Sequence, residues 1–317
     1  MIKLFADWFT FKLLKLTAHT LLAEAVNFFV FDIIKIFLMI SVIIFTVAVI
    51  RTYLPPHKIR NILAHKKRFL GHITAGILGI FTPFCTCSAI PLFLGFIEAG
   101  VPLGVTFTFL VSSPMINEVA LVLLLGMFGV KVAILYIASG FIIAMISGLY
   151  IGSIHPDRLL EKVAQQAQSG TMFAQVDFKW NDRIAYAKGY TLGIIKEVWP
   201  YIVIGIGVGA WIHGYVPTDF LARYAGAGKW YAVPVAVLIG IPLYGSCAGA
   251  IPLMGALVEK GVSLGTGLAF MMAVTGLSMP EFMILRKIMK IRLIVIFASV
   301  VGLGIIFTGY LFNFVLR

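Results

Sequence analysis

The chain carries little charge for its length. Asp, Glu, Lys and Arg together make up 12% of its 317 residues, against about 25% in soluble globular domains. Hydrophobic residues make up 61%. So few charged side chains cannot cover a soluble core of this size, which excludes soluble enzymes, nucleic-acid-binding proteins, disordered proteins and fibres. The composition predicts a polytopic membrane protein whose main partner is the lipid bilayer, with no nucleic-acid partner.

Three further features are scarce or absent in the sequence. Three cysteines are too few for a disulfide scaffold. Charged residues interrupt the first 25 residues, so a cleaved secretory signal is not expected. The Gly228-Lys229 step is followed by Trp230 and has Arg223 where a phosphate-binding loop has its first glycine. The sequence therefore has no Walker A motif, and ATP-driven transport would need a separate subunit. We expect no cofactor and no enzyme activity.

Long apolar runs are what the chain has in abundance. They cover residues 27–50, 71–98, 101–127, 129–152, 188–212, 230–258, 262–285 and 291–313. A spanning helix needs about 20 apolar residues, so the predicted fold is an all-α polytopic membrane protein with about eight membrane segments. Residues 1–26 are predicted to form an amphipathic helix on the membrane surface. A hydrophilic linker, 153–186, separates the membrane halves 27–152 and 187–317.

The two halves share motifs at a constant offset of 161 residues. Ala-Ile-Pro-Leu at 89–92 returns at 250–253, and Ile-Ile-Lys at 33–35 returns at 194–196. The sequence therefore predicts two homologous repeats with broken helices at their interface, an organisation typical of secondary transporters. The basic stretches 51–68 and 286–292 are predicted to face the cytoplasm. The repeats are parallel if all eight segments span, and inverted if 71–98 and 230–258 are re-entrant hairpins; the sequence leaves both open.

Proline- and glycine-containing breaks interrupt the second segment of each half, at residues 82–88 and 242–249. Such breaks free backbone groups, which is tolerable at membrane depth only inside protein or beside a water-filled cavity. All three cysteines, Cys85, Cys87 and Cys247, lie in these breaks. Thiolates bind soft ions such as trivalent arsenic, Cu(I) and Zn, so we predict that these cysteines line a substrate pathway and transiently bind a thiophilic ion. The other predicted pathway residues are Pro83, Thr86, Ser88, Asn117, Tyr244 and Ser246.

Two alternative interpretations of the cysteines stay open. Cysteine is also a small hydrophobe-like residue that suits close helix packing. Paired cysteines also carry out thiol–disulfide exchange, which would make the protein an intramembrane oxidoreductase.

Two acids lie inside apolar segments at a second pair of breaks. Glu118 and Glu281 superpose after a two-residue insertion in the second half. A charge at membrane depth is costly unless it faces a polar cavity, finds a partner or is neutralised by a proton. We therefore predict both acids as candidates for proton coupling. The six histidines lie in or near polar stretches and are predicted to be interfacial.

Several of these motifs resemble a known family. Pro-Phe-Cys-Thr-Cys-Ser-Ala-Ile-Pro-Leu at 83–92, Ser-Pro-x-x-Asn at 113–117 and Gly-Ile-Pro-Leu-Tyr-Gly-Ser-Cys at 240–247 resemble the predicted permease family that includes the ArsP organoarsenical efflux permeases and the YraQ-like proteins. The likeness covers 27–152 and 187–317. It implies a multi-pass inner-membrane permease in which Cys85, Cys87 and Cys247 would be thiol ligands for trivalent arsenicals. Ser88 stands where relatives often have glycine.

The predicted function is a secondary transporter that moves a small thiophilic solute through the cell membrane. A trivalent arsenical or another soft metal or metalloid species is the candidate substrate, with proton coupling as an option. One alternative is a permease of the same architecture for a small anion, such as a sulfur-containing one. The other is the thiol oxidoreductase. Homo-oligomerisation is left open.

Overall fold

The computed structural model describes residues 2–17, 20–53, 68–82, 86–116, 118–154, 156–161, 180–215, 229–243, 254–255, 257–258, 261–286 and 288–316. Within these ranges the chain is helical and forms no strand. A single antiparallel bridge pairs Leu160 with Met289.

The helices follow the apolar segments of the sequence. In chain order they are α1 (Ile2–Asp7), α2 (Leu21–Tyr53), α3 (Arg68–Phe81), α4 (Thr86–Glu98), α5 (Leu103–Met115), α6 (Glu118–Ser153), α7 (Trp180–Tyr215), α8 (Ala232–Gly240), α9 (Leu264–Gly276), α10 (Met279–Leu285) and α11 (Ile291–Val315). A π-helical turn, Trp8–Leu13, extends α1. The N-terminal helix, predicted over residues 1–26, therefore ends at Leu13, and residues 21–26 belong to α2.

Four helical stretches in the described ranges are long and apolar enough to cross a membrane. They are Leu21–Thr46, Ala120–Ser153, Leu264–Leu285 and Ile291–Val315. Two shorter apolar helices, Phe69–Phe81 and Leu103–Met115, lie between the first two. The chain is thus an all-helical membrane protein, while the count of eight segments and the repeat stay predictions.

Helix α6 is broken at Gly129. Its φ of 82° and ψ of 175° lie outside helical space, in a region that favours glycine. We call residues 118–128 α6a and residues 130–153 α6b. The break lets the chain reverse its direction between two helical pieces.

Helices α3 and α5 run parallel to each other. Near the start of α3, His72 Nδ1 lies 2.7 Å from Thr108 Oγ1. Near its end, a Cβ on Gly79 would be 3.0 Å from Ser112 Cβ, so residue numbers rise in the same direction along both helices. Because α4 must lead from the end of α3 to the start of α5, it runs in the opposite direction. Helices α3 and α4 therefore form a hairpin whose two outer ends lie on the same side.

Helix α6b runs antiparallel to α5. A Cβ on Gly104 would be 2.9 Å from Gly152 Cα, and Tyr136 Oη donates to the Met115 carbonyl oxygen at 2.6 Å. The six residues of α6b that precede Tyr136 extend beyond the end of α5. Helix α6a therefore continues past the end of α5, and Gly129 turns the chain back.

The second half has the same helix directions where it is described. A Cβ on Gly309 would lie 2.6 Å from Val233 Cγ1 and 2.8 Å from Ala269 Cβ, and one on Gly240 would lie 2.9 Å from Ala273 Cβ. Helices α8 and α9 are therefore parallel. A Cβ on Gly265 would be 2.6 Å from the Asn313 amide nitrogen, which places the start of α9 beside the end of α11.

The long helices α2 and α7 are antiparallel neighbours. Phe29 Cε2 would be 3.6 Å from a Cβ on Gly207, near the start of α2 and the end of α7. At the other end of the pair, Arg183 Nη1 donates to the Thr52 carbonyl oxygen at 2.7 Å and contacts Thr52 Oγ1 at 2.9 Å. Asn27 donates to the Asp7 carboxylate at 2.9 Å, which ties α1 to the start of α2.

Candidate functional site

The ends of α5 and α9 meet at the centre of the described structure. Both helices are buried over nearly their whole length, and a Cβ on Gly276 would lie 2.8 Å from Met115 Cγ. Each helix stops there because the next residue leaves helical space: Ile116 has φ −111° and ψ 81°, and Leu277 has φ −140° and ψ 31°. Two helix ends with interrupted backbone bonding thus lie side by side in an apolar core.

The ends of α3 and α8 lie next to this pair. Gly79, near the end of α3, lies beside Ser112, and Gly240, the last residue of α8, lies beside Ala273. The Met279 N–H donates to the Ile241 carbonyl oxygen at 2.9 Å, which joins the break before α10 to the end of α8. Four interrupted helices therefore surround one centre, and the chain leaving α3 and α8 there carries the cysteines.

Most of the predicted pathway residues cannot be located relative to this centre. Pro83, Cys85, Asn117, Tyr244, Ser246 and Cys247 lie outside the described residues. Thr86, Cys87 and Ser88 form the first turn of α4, and their side chains are likewise outside the description. Among the side chains that are described, no three His, Cys, Asp or Glu residues lie close enough to hold a metal ion. The thiol site stays a prediction.

The two predicted coupling acids have different surroundings. Glu281, in the first turn of α10, is 1% exposed. No described side chain reaches hydrogen-bond distance of either carboxylate oxygen, and the polar group that faces the carboxylate is the backbone N–H of Ser278, at the start of α10. Glu118, at the start of α6a, is exposed. The sequence treats the two acids as equivalents, whereas in the structure only Glu281 is buried.

A tyrosine that the sequence analysis did not single out lies at the end of α5. Tyr136 is fully buried, and its hydroxyl bonds the Met115 carbonyl oxygen. That carbonyl belongs to the last residue of a broken helix, which has no next turn to bond to it. A tyrosine inside a largely apolar segment is a usable sequence signal, because a buried hydroxyl needs a partner.

One of the histidines that the sequence predicts to be interfacial, His72, is buried between helices. This side chain is 1% exposed and pairs with Thr108. The Thr108 hydroxyl also bonds the Gly104 carbonyl oxygen at 3.2 Å. The imidazole fits because Gly104 and Gly148 face it without side chains. The glycines, rather than the polar sequence near His72, decide where it lies.

The start of the hydrophilic linker is bound to the loop between α10 and α11. Arg286 Nη1 lies 2.7 Å from Glu161 Oε1. The Glu161 N–H donates to the Ile288 carbonyl oxygen at 2.8 Å, and the Lys290 N–H donates to that of Leu159 at 2.9 Å. We call this set the linker contact. It fixes the chain directly after the helix that carries Glu281.

A cavity of about 260 Å³ lies between α6b and α11. Its wall is apolar apart from Ser139 and Thr308. The Ser139 hydroxyl is already bonded to the Tyr136 carbonyl oxygen at 3.0 Å. This cavity therefore lacks the polar groups that would receive an ion, unlike the central group of broken helices.

Comparison with known proteins gives one family and several relatives. A family model described as "Predicted permease" matches residues 21–314. A UPF0718 protein of Methanocaldococcus jannaschii is 20% identical, over 74% of this chain and 81% of its own. The Streptococcus mutans protein named "Putative two-component membrane permease complex subunit" is 24% identical, over 81% and 84%. The UPF0718 protein YcgR of Bacillus subtilis is 25% identical, over 58% and 61%. No solved structure matches the chain.

Proposed function

Since the chain belongs to this predicted permease family, we propose that it is a secondary transporter with its pathway between two inverted repeats. The relative in Streptococcus mutans is named as a subunit of a membrane permease complex. The observation that carries the proposal is the meeting of four interrupted helices at one buried centre. Secondary transporters place substrate sites near the midplane, where paired broken helices meet at a repeat interface.

Matching helix contacts support two units with one internal fold. Contacts of the first half recur 161 residues further along: Gly79–Ser112 with Gly240–Ala273, and Gly104–Gly148 with Gly265–Gly309. The turns that precede α5 and α9 match as well. Gly100 and Gly261 both have a positive φ, 73° and 88°.

Contacts between equivalent residues support a two-fold relation. Met115 lies against Gly276, and Ile143 Cγ1 would be 3.0 Å from a Cβ on Gly304; in each pair the partners are 161 residues apart. A residue touches its own counterpart only near a two-fold axis. The equivalent helices α2 and α7 are antiparallel, so the axis lies across the helices, in the plane of the membrane. This is the geometry of inverted repeats.

The number of crossings agrees with inversion. The α3–α4 hairpin enters and leaves by one side, so the first half crosses three times, through α2, α5 with α6a, and α6b. Because the first half crosses the membrane an odd number of times, the second half starts from the opposite face of the membrane. Two contacts fit the resulting arrangement, because Arg183 with Thr52 and Arg286 with Glu161 each join segments assigned to the same face.

The distribution of basic residues assigns that face to the cytoplasm. Segments 51–68, 153–188 and 286–292 belong to it and hold six, five and four Lys or Arg residues, fifteen in all. The remaining loops and termini hold eight. Cytoplasmic loops carry the excess of Lys and Arg. Both ends of the described chain then lie outside.

We further propose that the solute is thiophilic, with a trivalent arsenical as the candidate. Cys85 and Cys87 follow the end of α3 within six residues, and Cys247 follows the end of α8 by seven. Thiolates select soft ions. A small sulfur-containing anion is the second candidate. The observation in its favour is that α4 begins at Thr86, because a helix N-terminus carries partial positive charge.

The test is solute flux into proteoliposomes. Wild-type protein is compared with a variant carrying Cys85→Ser, Cys87→Ser and Cys247→Ser. Ser147→Ala is the matched control, because its buried hydroxyl bonds only within its own helix, to Ala144. The proposal expects the cysteine variant to lose arsenical flux and the control to keep it. Normal arsenical flux without cysteines would remove the thiol part, and competition by sulfur anions alone would favour the second candidate.

A further inference from the structure

We propose that Glu118 and Glu281 are the two ends of one alternating site, and that the structure records its outward-open state. In this state Glu118 is open to the outer side, and the region around Glu281 is closed to the cytoplasm. In the opposite state their environments exchange. The proposal rests on the proposed transport function and its inverted repeats.

Equivalent positions near the two acids differ sharply in exposure. After the two-residue insertion, Val122 in α6a corresponds to Leu285 in α10. The Val122 side chain is 68% exposed, whereas Leu285 is 0% exposed. Helix α10 packs against α4 and α7, while a Cβ on Gly126 in α6a would meet nothing within 4 Å. Helix α6a is buried on the face of Ala120 and Leu124, and its Met127 Cε would be 2.9 Å from a Cβ on Gly255. Its open face is the one that carries Glu118 and Val122, whereas the corresponding Glu281 and Leu285 of α10 are both buried.

The depth of Glu118 indicates what fills the open space. Glu118 precedes the Gly129 turn by 11 residues, which is about 16 Å of helix at 1.5 Å per residue. An exposed carboxylate this far below the surface is too costly against hydrocarbon, so it lines a water-filled cavity. We place the opening of this inferred cavity on the side of Gly129, the face assigned to the outside.

No charged side chain that the structure describes lies within hydrogen-bond distance of the Glu281 carboxylate. The charged residues on the helices that pack against α10, and on α11 and the loop beside it, are Glu98, Asp182, Arg183, Lys188, Lys196, Glu197, Arg286, Lys287, Lys290 and Arg292. Among the described side chains, none reaches hydrogen-bond distance of either carboxylate oxygen of Glu281. An acid in such a place exchanges a proton or cation only when its surroundings open.

The linker contact holds the closed end in place. Arg286 directly follows α10, and its pairing with Glu161 attaches α10 to the linker. Opening toward the cytoplasm requires this contact to break and α10 to leave α7. By the two-fold relation, α6a would then close against α2.

Side-specific thiol labelling tests the proposal. Val122→Cys and Leu285→Cys are placed singly in a chain with Cys85→Ser, Cys87→Ser and Cys247→Ser, whose own labelling is the background control. Right-side-out and inside-out vesicles are treated with a membrane-impermeant maleimide. We expect the position-122 variant, labelled from outside, to react at least about tenfold faster than the position-285 variant from the cytoplasmic side. Adding Glu161→Gln should raise the rate at 285 and lower it at 122.

Two results would overturn the proposal. One is a position-122 variant that reacts with a lipid-soluble maleimide but not with the impermeant one, because α6a would then face lipid. The other is a rate at 122 that Glu161→Gln leaves unchanged, a readout that stands even where Leu285→Cys fails to fold. Solute flux without alternating labelling rejects this inference alone. Alternating labelling without flux of any tested solute rejects the proposed function instead.

Discussion

Replacing Gly148 by alanine tests the closest helix crossing of the first half. A Cβ at this position would overlap Thr108 Oγ1 and would lie 2.6 Å from the Gly104 carbonyl oxygen and 3.0 Å from His72 Nδ1. The carbonyl belongs to the backbone of α5 and cannot rotate away, so α5 and α6b must separate. Overpacking of this kind costs about 1–3 kcal/mol of unfolding free energy.

The matched control lies in the other part of the same helix. Gly126→Ala meets no atom within 4 Å, and alanine is favoured over glycine in a helix by about 0.5–1 kcal/mol. Gly148→Ala should therefore lower the unfolding free energy and Gly126→Ala should raise it, so that the two variants differ by about 1.5–4 kcal/mol. Melting of the purified protein in detergent measures this, at about 2–4 °C per kcal/mol in chains of 150–250 residues.

A second substitution isolates the cause. Thr108→Ala removes one of the atoms that the new Cβ meets and reproduces Ala269, the residue at the matching crossing. It should rescue Gly148→Ala only in part, because the Gly104 carbonyl oxygen stays in place. If Gly148→Ala melts at the same temperature as Gly126→Ala, the described approach of α5 and α6b is wrong.

Two other predictions concern the centre and the topology. Tyr136→Phe removes the bond to the Met115 carbonyl oxygen and should lower unfolding free energy by about 0.6–1.7 kcal/mol, as side-chain hydrogen bonds in membranes do; an unchanged melting temperature would mean that the carbonyl has another partner. Pro102→Cys, at the N-cap of α5, should react with an impermeant maleimide only from the cytoplasm. Ser263→Cys, at the N-cap of α9, should react with it only from outside. Labelling from one common face would contradict the inversion.

The sequence predicts the helical class and the family correctly, and the described breaks after α5 and α9 lie where it places them. Glycine and proline end helices by local backbone chemistry, so Gly129 and the breaks at 116 and 277 follow from residues close in the chain. The 161-residue offset also identifies which helix contacts recur. These features are local or periodic, which is why one sequence suffices to find them.

Helix direction and burial depend on tertiary contacts that the sequence pattern does not contain. Parallel and inverted repeats share the same motifs, and only contacts such as His72 with Thr108 give the direction of α3. Glu118 and Glu281 occupy similar local sequences, yet packing of α10 on α4 and α7 buries only the second. His72 is buried because glycines on two other helices leave it room.

Solute uptake by reconstituted protein tests the transport claim most directly. Proteoliposomes containing the wild-type chain are given trivalent arsenicals or sulfur-containing anions, with and without a pH gradient, beside protein-free liposomes. The account predicts saturable uptake of one of these solute classes above the protein-free rate. Folded protein that moves neither class faster than protein-free liposomes, under either pH condition, would contradict it.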